Sequence, residues 1–239
     1  MIKLERANKP KYLTDAKAKE LTEEFKKDKT KAVWKIKSIG DALLKSSSYK
    51  CAYCECGLQK EDSYMQVEHF KDKDTYPDEV VEWENLLPSC GRCNRKKWKL
   101  DVNLNPIVNP YDDDPKKHLK HQAFRLYGKD QKGKETIDKL YLNDDDRVVR
   151  SRFLASNEIS RQLTELSKAP YILSDLRNGL TKLLQSCQAS YPYSAFTAYA
   201  LHSDEDYETL KSLLINNGMW DADLNELHEK SLRLQLDSR

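Results

Sequence analysis

The sequence predicts an α+β fold that is mostly α-helical. Apolar residues recur at three- and four-residue intervals near the N-terminus, and again through most of the chain beyond residue 143. Residues 64–69 (YMQVEH) instead alternate in polarity and carry side chains that favour strands. We therefore expect a small mixed core that is flanked by N-terminal helices and by a larger C-terminal helical region.

The first 50 residues are expected to hold an extended arm or short strand before Pro10, and then two helices. The first helix is predicted over residues 15–27 and the second from about Thr30 to Ser46. This segment has 14 Lys or Arg against 7 Asp or Glu, whereas the whole chain carries a net charge of only +2. Two interpretations remain open: contact with a phosphate backbone, or a solvated helix face.

Further along, a helix is predicted over residues 93–100 and an apolar edge strand over residues 105–111. Residues 112–115 (DDDP) predict a turn that caps another helix. Four amphipathic helices follow beyond residue 143, the last two over residues 204–215 and 221–236. We expect three regions: a basic arm with helices (1–50), a core (51–111) and a helical region (112–239) that docks a partner or closes the protein's own core.

Four cysteines form two Cys-x2-Cys pairs, Cys51/Cys54 and Cys90/Cys93, with 35 residues between the pairs. That separation is too long for a short zinc finger, and four thiolates leave no coordination position open. The pattern predicts a structural Zn²⁺ that holds the base of a larger insertion. The remaining cysteines, Cys56 and Cys187, are expected to lie outside the zinc site as ordinary thiols.

Reduced thiols that can bind a metal predict a cytoplasmic protein. The chain has no apolar run of membrane-spanning length, and its first residues lack the apolar stretch of a secretory signal. We therefore expect no association with a membrane.

The segment between the two cysteine pairs contains Glu68-His69 and Asn85, and Asn94 directly follows Cys93. This order resembles the HNH, or ββα-metal, endonucleases whose motif is closed by a four-cysteine zinc knuckle. The resemblance implies that His69 is the general base and that Glu68 and Asn94 hold a catalytic Mg²⁺ or Mn²⁺. It also implies that Asn85 orients the loop that carries His69.

Two of these residues differ from common members of that family. Glu68 stands where the family often has Asp or His, which changes the reach of the carboxylate by one methylene. Asn94 stands in place of the His that other members have, and an amide oxygen favours a hard metal ion over a catalytic zinc. Four basic residues beside the motif are expected to contact phosphate or to solvate an exposed helix: Arg92, Arg95, Lys96 and Lys97.

The likeness extends beyond the motif to a group of bacterial HNH proteins. The similar segments are residues 2–6, 51–55, 67–70, 83–87, 90–97, 109–111 and 136–143. That group includes the nuclease subunits (PtuB) of Septu-type anti-phage defence systems, which also occur beside some retrons. The resemblance implies an effector nuclease that works with an ABC/SMC-like ATPase subunit (PtuA-like). This chain has only seven glycines and no phosphate-binding loop of its own.

The leading interpretation is a metal-dependent endonuclease that hydrolyses phosphodiester bonds, with DNA favoured as substrate. One alternative is an RNase, for example one that cleaves tRNA. Another is a zinc-ribbon module that binds nucleic acid without catalysis, although the intact set of Glu68, His69, Asn85 and Asn94 argues against it. The motif contacts backbone phosphate and therefore does not distinguish DNA from RNA.

Overall fold

The computed structural model describes residues 1–59 and 64–239. Over these residues the chain is an α+β protein, about half of it helical, with two small sheets. Among the described helices, none combines the length and the apolar character that are needed to cross a membrane.

The N-terminal region contains the two predicted helices. Helix α1 (Asp15–Lys27) begins where the Thr14 side chain accepts a hydrogen bond from the backbone of Lys17. Helix α2 (Lys37–Ser46) begins later than the predicted Thr30. That prediction was wrong because the Asp28 carboxylate accepts hydrogen bonds from the amide and hydroxyl of Thr30, and these local bonds compete with a helix.

The central region is a hairpin followed by a helix. Strand β1 (Met65–His69) pairs antiparallel with β2 (Leu86–Cys90), and His69 lies opposite Leu86. Helix α3 (Gly91–Lys97) follows β2 directly, with Cys90 as its N-cap. The helix predicted over residues 93–100 therefore exists but begins and ends earlier. This arrangement brings the end of β1 beside α3.

Residues 105–111 do not form the predicted edge strand. Pro106 and Pro110 have no amide hydrogen, so the segment cannot make a regular ladder of hydrogen bonds. Its apolar residues Ile107 and Val108 are buried in the core. The N-terminal arm runs beside this segment, where the amide of Leu4 donates to the carbonyl of Pro110 at 2.8 Å.

A second sheet lies where the sequence predicted no strand. Helix α4 (Pro115–His118), capped by Asp114 as expected, leads into β3 (Leu119–Gln122) and β4 (Arg125–Gly128). Ala123 and Phe124 make the tight turn between them with positive φ angles of 46° and 66°. Strand β5 (Asp237–Ser238) pairs parallel with β3, and helix α5 (Gln131–Leu140) follows the hairpin.

The C-terminal half is helical, as predicted. Its helices are α6 (Arg150–Leu166), α7 (Leu173–Ser186), α8 (Ser194–His202), α9 (Glu205–Asn216) and α10 (Ala222–Leu232). Helix α8 was not predicted, because it is apolar and buried on most sides and so has no amphipathic stripe. Helices α6 to α10 share one apolar core.

A second core surrounds the cysteines and joins distant parts of the chain. It contains Met1 and Leu4 of the N-terminal arm, Leu126 of β4, Leu140 of α5 and Leu236 near the C-terminus. The cysteine region is therefore packed against residues from both ends of the described chain.

Candidate metal centre and active-site cleft

Thiols from the two ends of the insertion converge in the core. The Sγ atoms of Cys51, Cys54, Cys56 and Cys90 all lie within 4.8 Å of one another, and those of Cys54 and Cys90 are 3.8 Å apart. A tetrahedral Zn²⁺ with Zn–S bonds of about 2.3 Å requires sulfur atoms about 3.8 Å apart. These four cysteines could therefore hold a metal ion, and the soft donor set fits zinc.

A fifth thiol lies beside them. Cys93, which the sequence assigned to the zinc site, interacts with the thiols of Cys51, Cys54 and Cys90. Cys56 interacts with the same three. The sequence placed Cys56 outside the zinc site, but its thiol lies within the cluster, so Cys56 and Cys93 are both candidates for the fourth ligand. Sequence spacing marks only the Cys-x2-Cys pairs, whereas the chain turns back so that the amide of Cys51 donates to the carbonyl of Cys56.

A buried cation from helix α6 lies close to the cluster. Arg152 is only 1% exposed, and its Nε and Nη2 atoms have no hydrogen-bond partner among the described residues. Burial lowers the pKa of Arg152 to about 10, and the negative charges of Cys54 and Glu55 oppose that shift. Four thiolates around one Zn²⁺ leave a net negative charge, which would compensate this guanidinium. The thiolates of such a centre and the carboxylate of Glu55 would together compensate the buried charge of Arg152.

His69, the last residue of β1, is buried against Trp34, whose ring it meets edge-on with centroids 4.7 Å apart. Its Nε2 atom lies 2.8 Å from the carbonyl oxygen of Val80. A carbonyl only accepts, so Nε2 carries the hydrogen and Nδ1 keeps its lone pair. Burial lowers the pKa of His69 to about 4. The ring is therefore neutral near pH 7, with Nδ1 able to accept a proton.

Glu68, one residue earlier, is 3% exposed. Its Oε1 atom forms an ion pair with Lys97 Nζ at 2.8 Å. Burial raises the pKa of Glu68 to about 7, although Lys97 opposes the shift. A buried carboxylate offers the hard oxygen ligand that a divalent cation such as Mg²⁺ prefers.

Two asparagines have different contacts. Asn85 accepts from the amide of Lys71 at 2.7 Å and donates to the carbonyls of Lys71 at 3.1 Å and Glu79 at 3.0 Å. It thereby fixes both ends of the loop that follows His69. Asn94, on α3, donates its amide to Gln66 at 2.7 Å, which leaves its Oδ1 atom available as a ligand.

Glu68, His69 and Asn94 line a single cleft of about 680 Å³. Two strand residues and one helix residue thus line the same space. The cleft is also lined by basic and aromatic residues, among them Lys35, Lys73, Arg95, Trp98, Lys99 and Tyr64.

The four basic residues that the sequence assigned to phosphate contact differ in their exposure to solvent. Arg95 and Lys96 are exposed. Lys97 was expected on an exposed side of α3 but is buried, with Nζ 2.8 Å from both Glu68 Oε1 and the carbonyl oxygen of His69. Arg92 is mostly buried and binds Asp144 at 3.1 Å, so it joins α3 to the start of the C-terminal region.

Comparison with known proteins gives one clear relationship. The chain is 42% identical to Septu protein PtuB of Bacillus thuringiensis over 238 residues, which cover 95% of this chain and 92% of that protein. The chain belongs to the Septu PtuB family. It is also 28% identical to Septu protein PtuB of Bacillus mycoides (strain KBAB4), over 81% of this chain and 83% of the relative. No protein-family model matches the chain.

Proposed function

We propose that this chain is a metal-dependent HNH endonuclease, with DNA as the favoured substrate, and the effector subunit of an anti-phage defence complex. The observation that carries the proposal is the meeting of Glu68, His69 and Asn94 in one cleft. The hairpin of β1 and β2 followed by α3 is the arrangement that a ββα-metal core needs. Membership of the Septu PtuB family supports the assignment to a defence system.

His69 acts as the general base. Its neutral ring presents Nδ1 to a water molecule, while the contact between Nε2 and the Val80 carbonyl fixes the tautomer. Trp34 fixes the plane of the ring by its edge-on contact. Asn85 fastens the loop that ends at Val80, so it positions the carbonyl to which His69 is bound.

Glu68 and Asn94 would hold the catalytic Mg²⁺ or Mn²⁺ through one carboxylate oxygen and one amide oxygen. That ion would neutralise charge on the scissile phosphate and on the leaving oxygen. The exposed side chains of Arg95 and Lys96, on the same helix as Asn94, would attract the neighbouring phosphates.

The other regions support this core. A zinc ion at the cysteine cluster would fix the base of the insertion that carries Glu68 and His69. Residues 51–111 form the nuclease core in this proposal, and residues 1–50 add a basic arm. The helical region 112–239 docks an ABC/SMC-like ATPase subunit, which adds to the affinity for nucleic acid of a chain whose net charge is only +2.

The direct experiment is to incubate the zinc-loaded chain with labelled phage DNA and with total RNA, with and without Mg²⁺ and the neighbouring ATPase subunit. We expect Mg²⁺-dependent DNA cleavage that reaches its full rate only with the ATPase. Cleavage of RNA alone would replace DNA by RNA as the substrate. No cleavage of either, with the ATPase present, would contradict the proposal and favour a zinc-ribbon binding module.

A further inference from the structure

Two large aromatic side chains stand exposed at the cleft that contains Glu68, His69 and Asn94. Trp98 is 72% exposed and Tyr64 is 69% exposed. Most tryptophan side chains in folded proteins are largely buried, and exposed aromatic surface beside a functional cleft commonly marks a site of binding. The two rings therefore indicate a ligand that covers flat apolar surface.

The backbone holds Trp98 in an unfavourable conformation. Its φ and ψ angles are 48° and −131°, in the left-handed half of the map that residues with a side chain rarely adopt. The amide of Trp98 donates to the carbonyl of Asn94 at 3.0 Å, and the preceding Lys97 is anchored between Glu68 and His69. The same contacts that fix the candidate catalytic residues thus direct Trp98 away from the core, and such local strain is found most often at functional sites.

The charges around the rings fit a nucleic-acid strand. Lys35 and Arg95 line the cleft together with Lys73 and Lys99, which also pair with Asp74 at 3.4 Å and 2.7 Å. These cations would attract phosphates along the cleft. Exposed aromatic rings beside a cationic groove are the combination by which proteins bind single strands, because an unpaired base offers a free face for stacking. In a duplex both faces of each internal base are covered by its neighbours.

We propose that Trp98 and Tyr64 stack on unpaired bases, so that the strand in this cleft is single-stranded or locally unpaired. The proposal rests on the nuclease function proposed above and adds the form of its substrate. It applies equally to DNA and RNA, since every base has an aromatic face. The scissile phosphate then lies near His69. The bases next to that phosphate are unpaired and stack on the rings of Trp98 and Tyr64.

The test is fluorescence anisotropy with a short labelled DNA strand, the RNA strand of the same sequence, and the corresponding DNA duplex. All proteins are full-length, zinc-loaded and carry His69→Ala, so that the bound strand is not cut. Trp98→Ala should weaken single-strand binding by about 5- to 150-fold and leave duplex binding unchanged. Tyr64→Ala should act in the same direction, and Trp98→Phe should retain most of the affinity because it keeps a stacking ring.

Tyr191→Ala is the matched control, since Tyr191 is 45% exposed but does not line the cleft. Equal losses on strand and duplex, or no loss on either, would overturn the stacking proposal and leave the nuclease proposal standing. If Trp98→Ala kept strand binding and lost the ATPase subunit in a pull-down, Trp98 would belong to a protein interface, which also overturns it. Failure of the nuclease proposal has a separate readout, namely a parent chain with His69 intact that binds the strand but does not cut it.

Discussion

The thiols of Cys51, Cys54 and Cys90 interact with those of both Cys56 and Cys93, either of which would supply a fourth zinc ligand. We expect Cys93 to complete the shell. It is fully buried, and its own amide donates to Cys90 Sγ at 3.5 Å at the start of α3. Cys56 is only half-buried and is expected to stay protonated beside the centre.

Single substitutions to Ser distinguish these roles. Cys90→Ser should lose zinc and unfold the region around residues 51–100, because ligand loss removes folding free energy directly. Cys93→Ser should also lose zinc, whereas Cys56→Ser should keep one zinc per chain. The measurement is metal content by mass spectrometry together with circular dichroism. If the Cys56→Ser protein lost its zinc and the Cys93→Ser protein retained it, Cys56 would be the fourth ligand and Cys93 the neighbouring thiol.

The order of Glu68, His69, Asn85 and Asn94 relative to the cysteine pairs singled these residues out through the resemblance to HNH endonucleases, and their roles stay predictions. It did not show that Lys97 is buried against Glu68, or that Cys56 meets the other thiols. Both facts depend on how the chain closes in three dimensions. A lysine on a short helix has the same local pattern whether it faces solvent or a buried carboxylate.

Among the elements, helix α3 is the one that connects the others. It begins at the cysteine cluster, carries Asn94 in its middle, and ends at Lys97, whose ammonium reaches Glu68 and the carbonyl of His69 at the end of β1. Lys97 therefore fixes the separation between the two proposed metal ligands. It is a positioning residue, since it acts on the site through Glu68.

Lys97→Met keeps the length of the side chain but leaves Glu68 as a buried carboxylate without its cation. We expect a loss of about 3–5 kcal/mol in the free energy of unfolding, measured with urea. Mg²⁺ affinity should fall by about 10- to 100-fold in a calorimetric titration, as for the loss of other residues that orient a metal ligand. Lys96→Met, on the exposed side of the same helix, is the control. A Lys97→Met chain with wild-type stability and Mg²⁺ affinity would remove this role.

The sequence predicted those helices that have one apolar face. It failed for a helix that is buried on most sides and for a segment that is interrupted by prolines. Helices α1, α7, α9 and α10 have amphipathic patterns and were predicted. Helix α8 is buried on most sides and gave no pattern, and Pro106 and Pro110 exclude the strand that residues 105–111 suggested. The β3–β4 hairpin was missed because its turn, Ala123-Phe124, lacks the Asn or Gly that marks such turns.

At the scale of the whole molecule, the cysteine region is held from both sides of the sequence. Arg152 of α6 contacts the carbonyls of Leu142 and Phe124 and lies beside the cluster. Ser194 of α8 donates to Glu55 at 2.9 Å. One core therefore contains residues of all three regions, 1–50, 51–111 and 112–239. We interpret these regions as parts of one folded unit that differ in function.

Arg152→Met tests whether the C-terminal region stabilises the zinc centre electrostatically. The substitution removes a buried positive charge next to thiolates, so zinc affinity should fall by about 10- to 100-fold. The measurement is competition with a chromophoric chelator. Arg161→Met on the same helix, where the arginine is exposed and paired with Glu158, should have no effect. Equal zinc affinity in the Arg152→Met and parent chains would mean that this guanidinium does not compensate the metal centre.

The central claim is that His69 removes a proton while Glu68 and Asn94 hold a metal ion. The most direct measurement is the cleavage rate of His69→Ala as a function of Mg²⁺ and Mn²⁺ concentration, compared with Glu68→Ala and Asn94→Ala. We expect His69→Ala to keep its zinc, fold and strand binding, to lose about 10²–10⁴-fold in rate, and to gain nothing from added metal. Glu68→Ala and Asn94→Ala should recover part of their activity at high Mg²⁺ or with Mn²⁺. A His69→Ala chain that cuts at the wild-type rate, or that recovers as Mg²⁺ rises, would contradict the assignment of His69 as the base.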